Sequence, residues 1–379
     1  MGRLASAVGL LVGAVGVWAS YEMFYHPSID LRDPIVLRRT PVHPDEITLV
    51  FGGDFAPADA AMDNIQREGY HYPYLRTATT LADADIAFAN LEAPVTPSTI
   101  PVWIWKTFLY RVEPVATETW QWLGLDVVSL ANNHVLDYRT RGLLDTVTAL
   151  DGAGIAHVGA GVDASAARTP VIFTIGETRI GFLAYLENQV GFNLAERLFA
   201  QRHGPGCAQL NRDDLAEDVR RLRPQVDLIV VSVHWGENYS DVTHTQRAYA
   251  DYLTDLGVDL VVGHHPHNEQ RVAVRNHTLI LYSLGNYAWG APGHFELRIG
   301  LLARVRVAPR VGTGPARVKT LELLPIVTQN RLIQFQPRRV SPAERDWLQP
   351  LIDASRAEGT HMTVETDDEG PWLQVDLAP

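Results

Sequence analysis

The chain is poor in several residue types. Of 379 residues one is cysteine, Cys207, which excludes an internal disulfide framework and a Cys-rich zinc site. Two of the 32 basic residues are lysines, Lys106 and Lys319, the rest arginines, a skew that genomic codon bias accounts for. Positive charge is short: the formal net charge is −12. Phosphate backbones are bound by clustered positive charge, so nucleic acid is excluded as the main partner. What is present suffices for a folded domain. Hydrophobic residues make up 46% and charged residues 20%, which rules out wholesale disorder. The 14 histidines leave open a metal site built on His, Asp, Glu and Asn.

Leu4 to Tyr21 is an 18-residue stretch without a charge. A membrane span needs ~20 apolar residues, with about 17 as the lower limit, so residues 1–25 read as a signal-anchor. Val17-Trp18-Ala19 before Ser20 leaves a cleaved signal peptide as the alternative. Either reading sends the rest of the chain across a membrane; the signal-anchor keeps the protein at the cell membrane as a single-pass protein, its main domain on the extracytoplasmic side. Pro27, Pro34, Pro41 and Pro44 punctuate residues 26–45, which read as an extended tether.

From Ile47 a pattern repeats. Short apolar runs end in polar residues: Ile47–Phe51 before Asp54, Ile86–Ala89 before Asn90 and Glu92, Val127–Leu130 before Asn133 and His134. Leu228–Val233 runs into His234, Leu260–Val262 into His264 and His265, and Leu279–Tyr282 into Asn286. Helical periodicity over Thr140–Ala153, Asp213–Leu222 and Gln246–Leu256 separates several of them. Strands alternating with helices predict an α/β domain with a largely parallel sheet, here 46–290. Ligands then bind beyond the carboxyl ends of the strands. Residues 291–379 read as a β-rich C-terminal extension, with strands at Leu301–Val307, Val318–Pro325 and Leu332–Phe335 and a helix at Pro342–Ser355. Alternation of Trp103, Trp105, Phe108 and Tyr110 reads as a half-buried strand, with a substrate- or membrane-facing loop as the alternative.

A site that activates water needs ligands from several elements and an open position. Asp54, Glu92, Asn133, His234, His265 and His267 supply three imidazoles, two carboxylates and one amide oxygen, a mixture that suits Mn, Fe or Zn. Asp54 also reads as a helix cap, Asn133 as a turn former and His234 as an ordinary hydrogen-bonding residue; the joint pattern favours a metal. In extended backbone His265 and His267 share a face and His264 takes the other. Asp137, three residues after His134, either orients that imidazole or caps the helix from Thr140.

The chain resembles the CapA family of capsule and poly-γ-glutamate biosynthesis proteins, within the calcineurin-like metallophosphoesterase superfamily. The resemblance spans about Ile47 to Tyr287. Gly53-Asp54, Asn90-Leu91-Glu92-Ala93-Pro94-Val95-Thr96, Ala131-Asn132-Asn133-His134-Val135-Leu136-Asp137, His234-Trp235-Gly236, Gly263-His264-His265-Pro266-His267 and Tyr282-Ser283-Leu284-Gly285-Asn286 carry it. It implies a four-layer α/β/β/α sandwich and one or two divalent ions held by Asp54, bridging Glu92, Asn133, His234, His265 and His267. It implies His134 as the acid beside the leaving group. Asn90, His264 and Asn286 join the list on the substrate side. The chain departs from the wider superfamily where Phe55 and Ala56 follow Asp54, so the Asp-x-His histidine is absent, as is common in CapA-like sequences.

The expected function is a membrane-tethered metallohydrolase acting on an anionic surface polymer or a phosphorylated substrate. Metal-activated water would attack a phosphoester or γ-glutamyl amide, with capsule-synthase subunits as partners. The alternative is a non-catalytic polymer-binding or scaffold component, with Arg111, Arg139 and Arg141 as local positive charge. The full chain is expected to sediment with membranes when cells are fractionated; recovery of the intact, uncleaved chain in the soluble fraction would contradict the Leu4–Tyr21 reading.

Overall fold

A computed structural model describes residues 29–102, 106–188, 197–290, 298–312 and 314–377. The Leu4–Tyr21 stretch and Trp103 and Trp105 lie outside the described residues. Among the described residues no helix is long and apolar enough to cross a membrane. All elements below belong to the unit Arg32–Pro379.

In chain order the strands are β1 (Ile35–Arg39), β2 (Ile47–Ala56), β3 (Ile86–Leu91), β4 (Leu125–Ser129), β5 (Ala156–Val158), β6 (Ala160–Gly161), β7 (Val171–Ile175), β8 (Thr178–Leu186), β9 (Gly206–Cys207) and β10 (Leu228–His234). They continue with β11 (Leu260–His264), β12 (Val272–Arg275), β13 (Thr278–Leu281), β14 (Asn286–Trp289), β15 (Ile299–Ala308), β16 (Arg317–Val327), β17 (Arg338–Arg339), β18 (Met362–Asp367) and β19 (Gly370–Val375). Four helices matter here: α1 (Arg139–Ala153), α2 (Arg212–Leu222), α3 (His244–Asp255) and α4 (Gln349–Ala357).

The fold is mixed α/β with several sheets. A seven-stranded sheet runs β1-β7-β8-β10-β11-β13-β12, and a ten-stranded sheet contains β18-β19-β16-β15-β2-β3-β4-β5 with β14 on β2 and β17 on β16. The neighbours β8, β10, β11 and β13 are parallel, as are β2 to β5. Every residue of β2, β3, β10 and β11 is buried, which explains their continuous apolar runs.

Strand alternation sorts β10 between two cores. Leu228 and Val230 join a cluster that includes Phe51, Phe88 and Phe182, from both sheets. Ile229, Val231 and Val233 face Leu215, Val219 and Leu222 of α2 and Leu253 of α3, as the two-residue period of a strand requires. The rings of Phe88 (β3) and Phe182 (β8) stack with centroids 6.1 Å apart. Cutting so buried a phenylalanine to alanine costs ~3–5 kcal/mol in typical cores. Helix α2 starts where the Asn211 side chain accepts from Asp214 N, with acids in its first turn and arginines in its last, both favourable to the helix dipole. Helix α3 opens with a capping box of Thr243 and Gln246.

The structure departs from the sequence reading mainly in the segments outside 46–290, and within that range at Trp103–Tyr110. Ile35–Arg39, expected within a tether, pairs in parallel with β7, and Arg39 forms an ion pair with Asp126 of β4. Residues after 297 complete the main sheet, because β15 pairs antiparallel with Ile47–Phe51 of β2. Leu332–Phe335 is no strand: Asn330–Ile333 is a helical turn, and Gln334 and Phe335 have φ of 51° and 62°, which strands do not accommodate. The expected helix at Pro342–Ser355 is a 3-10 turn over Pro342–Leu348 followed by α4. The chain then closes with the β18–β19 hairpin. Among the described residues of the Trp103–Tyr110 stretch there is no strand; Phe108 is exposed and Tyr110 buried.

Glu344 closes a capping box with Ser341 and pairs with Arg338 at 2.7 Å. The hydrogen bond from Arg338 pulls its carboxyl down from 4.5 to about 2. A carboxyl lowered in the folded state adds stability that is present above its ordinary value and lost as pH falls to the folded value. The stability gap between the natural protein and Glu344→Gln should therefore be full above pH 4.5 and close between there and about 2. Urea titrations across that range check this.

Candidate metal centre

Strand ends and the turns after them bring the expected ligands together. Asp54 lies near the end of β2, Glu92 just past β3, Asn133 past β4, His234 at the end of β10, and His265 and His267 past β11. β2 changes neighbours on the way: Ile47–Phe51 pair with β15, and Asp54 pairs with Asn286 of β14. Gly53 permits the exchange, because a Cβ there would lie 1.9 Å from the Gly285 carbonyl oxygen. That carbonyl accepts from Asp54 N at 2.8 Å.

Asp54 and Glu92 are both fully buried. Ligand atoms of Glu92, His234 and His265 lie within 4.8 Å of one another, and so do those of Asp54, Glu92 and His267. Glu92 belongs to both groups. His234 Nε2 is 3.5 Å from Glu92 Oε1 and 2.8 Å from Asn133 Oδ1. The His234 and His265 rings are 4.7 Å apart. His267 Nδ1 lies 3.1 Å from Asp54 Oδ2 and 3.0 Å from Asn286 Oδ1.

His265 and His267 converge by a different route from the one strand alternation predicts. β11 ends at His264, and His265 and His267 have φ of 98° and 62°. The two rings meet, 6.2 Å apart, through a left-handed turn around Pro266. His264 does not turn away either: its Nδ1 is 3.5 Å from Asp54 Oδ1, and its ring packs 6.0 Å from Phe88.

Of the residues expected on the substrate side, Asn90 and His264 have no exposed surface. Asn90 Nδ2 donates to Asp54 Oδ1 at 2.9 Å and to Glu92 Oε2 at 3.3 Å, so it ties the two carboxylates together. Asn286 is nearly buried against His267.

His134 sits beside the cluster. Its Nδ1 is 2.7 Å from Asp137 Oδ2, and its ring is 4.5 Å from Tyr110. Asp137 does not cap α1: Tyr138 holds that position, without a side-chain cap bond. Asp137 is fully buried and also accepts from Tyr110 N at 2.7 Å and Lys106 Nζ at 2.6 Å. Tyr110 is 5.0 Å from Trp289, itself 4.4 Å from His267. Tyr239 closes the arc, 5.8 Å from His267.

The protonation chemistry suits a cation. Burial, then the neighbouring Asp54 charge, raise the Glu92 carboxyl well above its usual range. Burial works against Asp54 as well, but His264 and His267 beside it hold it well below that range. Burial, then the other imidazoles, push His234 far down, and burial with His267 takes His265 to about 3. Neutral imidazoles are competent ligands. Glu92 Oε1 is buried without a hydrogen-bond partner, a costly state for a carboxylate oxygen that a bound cation would relieve. The residues therefore fit a divalent ion of the Mn, Fe or Zn type. Each group has an amide oxygen alongside, Asn133 Oδ1 at His234 and Asn286 Oδ1 at His267; the Asp54 group is the poorer one, because Ala56, paired in register with Trp289, offers no ligand atom where the superfamily resemblance leads one to expect a histidine.

Lys106 and Tyr239 escaped the sequence reading. Tyr239 was hidden by its irregular loop and its φ of 59°. Lys106 left one signal: it is one of two lysines among 32 basic residues.

The family described as Bacterial capsule synthesis protein PGA_cap matches residues 48–290. A Probable polyglutamine synthesis accessory protein of Mycobacterium tuberculosis is 32% identical over 301 residues, 75% of this chain and 76% of that protein. Capsule biosynthesis protein CapA of Bacillus anthracis is 28% identical over 252 residues, 65% of this chain and 60% of that one. PGA biosynthesis protein CapA of Bacillus subtilis is 28% identical over 243 residues, 63% of this chain and 62% of that one. Among solved structures, GAP50, the anchor in the inner membrane complex of Plasmodium, aligns with a TM-score of 0.36 and 12% identity over 74% of this chain and 84% of that one, too distant to inform the site.

The unequal donor sets generate a prediction. His265→Ala should lose the more tightly bound ion, His267→Ala should keep it, and Glu92→Ala should lose all bound metal. Metal content of the purified proteins by plasma mass spectrometry checks the order.

Proposed function

Because the chain belongs to the PGA_cap family of bacterial capsule synthesis proteins, a CapA family within the calcineurin-like superfamily, we propose that it is an exported, membrane-tethered metallohydrolase. It acts in synthesis, release or attachment of an anionic surface polymer such as poly-γ-glutamate, in contact with capsule-synthase subunits. One observation carries the reading: a buried His–Asp pair stands beside two overlapping groups of metal-ligating side chains. The stacking of Phe88 on Phe182, with α2 and α3 over the other face of the seven-stranded sheet, supports a four-layer α/β/β/α arrangement. The uncharged Leu4–Tyr21 stretch supports the tether.

When bound, a divalent cation supplies Lewis acidity toward a phosphoryl or acyl oxygen. The chain's own residues do the rest. Asp54, Glu92, Asn133, His234, His265 and His267 hold the charge in place, and Asn90 keeps the two carboxylates in register. Asp137 Oδ2 accepts from His134 Nδ1, which turns Nε2 toward the reacting group. Burial takes His134 down to about 4, so it enters the cycle neutral at neutral pH. An anionic substrate beside Nε2 favours the charged imidazole; the proton that Nε2 takes up from solvent as the substrate binds is the one it delivers to the leaving group, which returns the ring to its neutral form.

The non-catalytic reading, in which the domain binds polymer or a partner enzyme, draws on Ala56 at the missing ligand position. His134→Asn separates the two. Loss of a positioned general acid typically costs about 10²–10⁴-fold. The variant should keep its metal and lose turnover of phosphodiester or γ-glutamyl amide substrates by that order, with kcat and metal content measured on the same preparations. Undiminished turnover overturns the acid assignment, and metal-loaded protein that cleaves neither substrate class favours the binding reading.

A further inference from the structure

Lys106 lies outside every motif, and its contacts are the shortest in the site. Its side chain is 8% exposed. Nζ donates to the Asn133 carbonyl oxygen at 2.6 Å and to Asp137 Oδ1 at 2.6 Å. Both partners belong to the turn that carries the centre: the Asn133 amide oxygen faces His234, and Asp137 Oδ2 holds His134.

An ionised carboxylate offers about four lone-pair sites. Lys106 takes one on Oδ1, while Tyr110 N and His134 Nδ1 share Oδ2. These contacts fix the plane of the carboxylate, and that plane fixes the direction of the His134 ring. The chemistry of the cation matters. Arginine presents a planar fork, whereas lysine presents a compact point charge with three rotatable donors. A backbone carbonyl and a carboxylate oxygen from one turn are two separate acceptors, which a single ammonium reaches in different directions. A chain with 32 basic residues has lysine at two positions; one of them is buried here.

We propose that Lys106 is the positioning residue of this centre: by clamping the Asn133 carbonyl to Asp137 Oδ1, it locks Asp137 so that Oδ2 holds the His134 ring in one orientation, Nε2 toward the ligand cluster. The consequence for rate rests on the proton-donor reading of His134; the consequence for geometry does not.

The test uses the full chain, zinc-loaded and labelled with 15N-histidine. In the natural protein the His134 Nδ1 proton should appear as a low-field, slowly exchanging resonance, assigned by its loss in His134→Asn. Lys106→Met should lose that resonance while zinc content holds. Lys106→Gln, one bond shorter and uncharged, cannot hold both acceptors as the ammonium does and should lose the same resonance, which keeps the test open should the methionine variant fold poorly.

Rates on two probes form the second arm. Phenyl phosphate has a poor leaving group that needs a proton, and p-nitrophenyl phosphate a good one that needs it less. Lys106→Met should lower kcat on phenyl phosphate by about 10²-fold, the lower end of general acid help, with a smaller loss on p-nitrophenyl phosphate and little change in KM. An unchanged Nδ1 resonance overturns the proposal. So does loss of zinc along with it, which would make Lys106 a support for the ligands. Equal losses on both probes overturn the orientation role. If the natural protein cleaves neither probe, the hydrolase reading fails on these substrates and the resonance alone decides the position of Lys106.

Discussion

Two carboxylates without exposed surface, Asp54 and Glu92, impose the main constraint on this fold. Burying one ionised carboxyl is expensive, and burying two side by side adds repulsion. The structure answers by bringing polar groups from both sheets to one place. Asn90 bridges the pair, and His264 and His267 approach Asp54. His234 faces Glu92. Close backbone approaches follow from this need. At Gly53 the Gly285 carbonyl comes in, and at Gly300 that of Asn286, 2.0 Å from where a Cβ would stand. β14 can lie beside Asp54 because neither glycine has a side chain.

Much of this was legible in the residues. Apolar runs such as Leu228–Val233 read correctly as buried strands because burial on both faces removes the polar alternation that complicates other strands. Helices α2 and α3 were legible from their period, to within two residues of their ends. The resemblance to CapA rested on the same strand-end residues, and the family match over 48–290 agrees with it.

The rest was illegible for physical reasons. Strand β1 is five residues at a sheet edge, with both ends exposed; nothing in Ile35–Arg39 distinguishes it from a prolyl tether until β7 is there to pair with it. Leu332–Phe335 has strand-like composition, but its backbone is set by two left-handed residues, which composition does not encode. His264 was assigned to the wrong face because alternation holds only while the strand continues, and β11 stops at that residue. Lys106 lies 27 residues before the carbonyl it holds, a separation no local pattern spans.

The turn after β11 also bears on redesign. Left-handed backbone costs glycine and asparagine little and other residues of order 1–3 kcal/mol. His265 and His267 both occupy it, on either side of Pro266. The chain thus gives up stability at the place where two imidazoles of the candidate centre are presented. Glycine at either position would relax the backbone and remove a ligand at once, so stability and the ligand set pull against each other there.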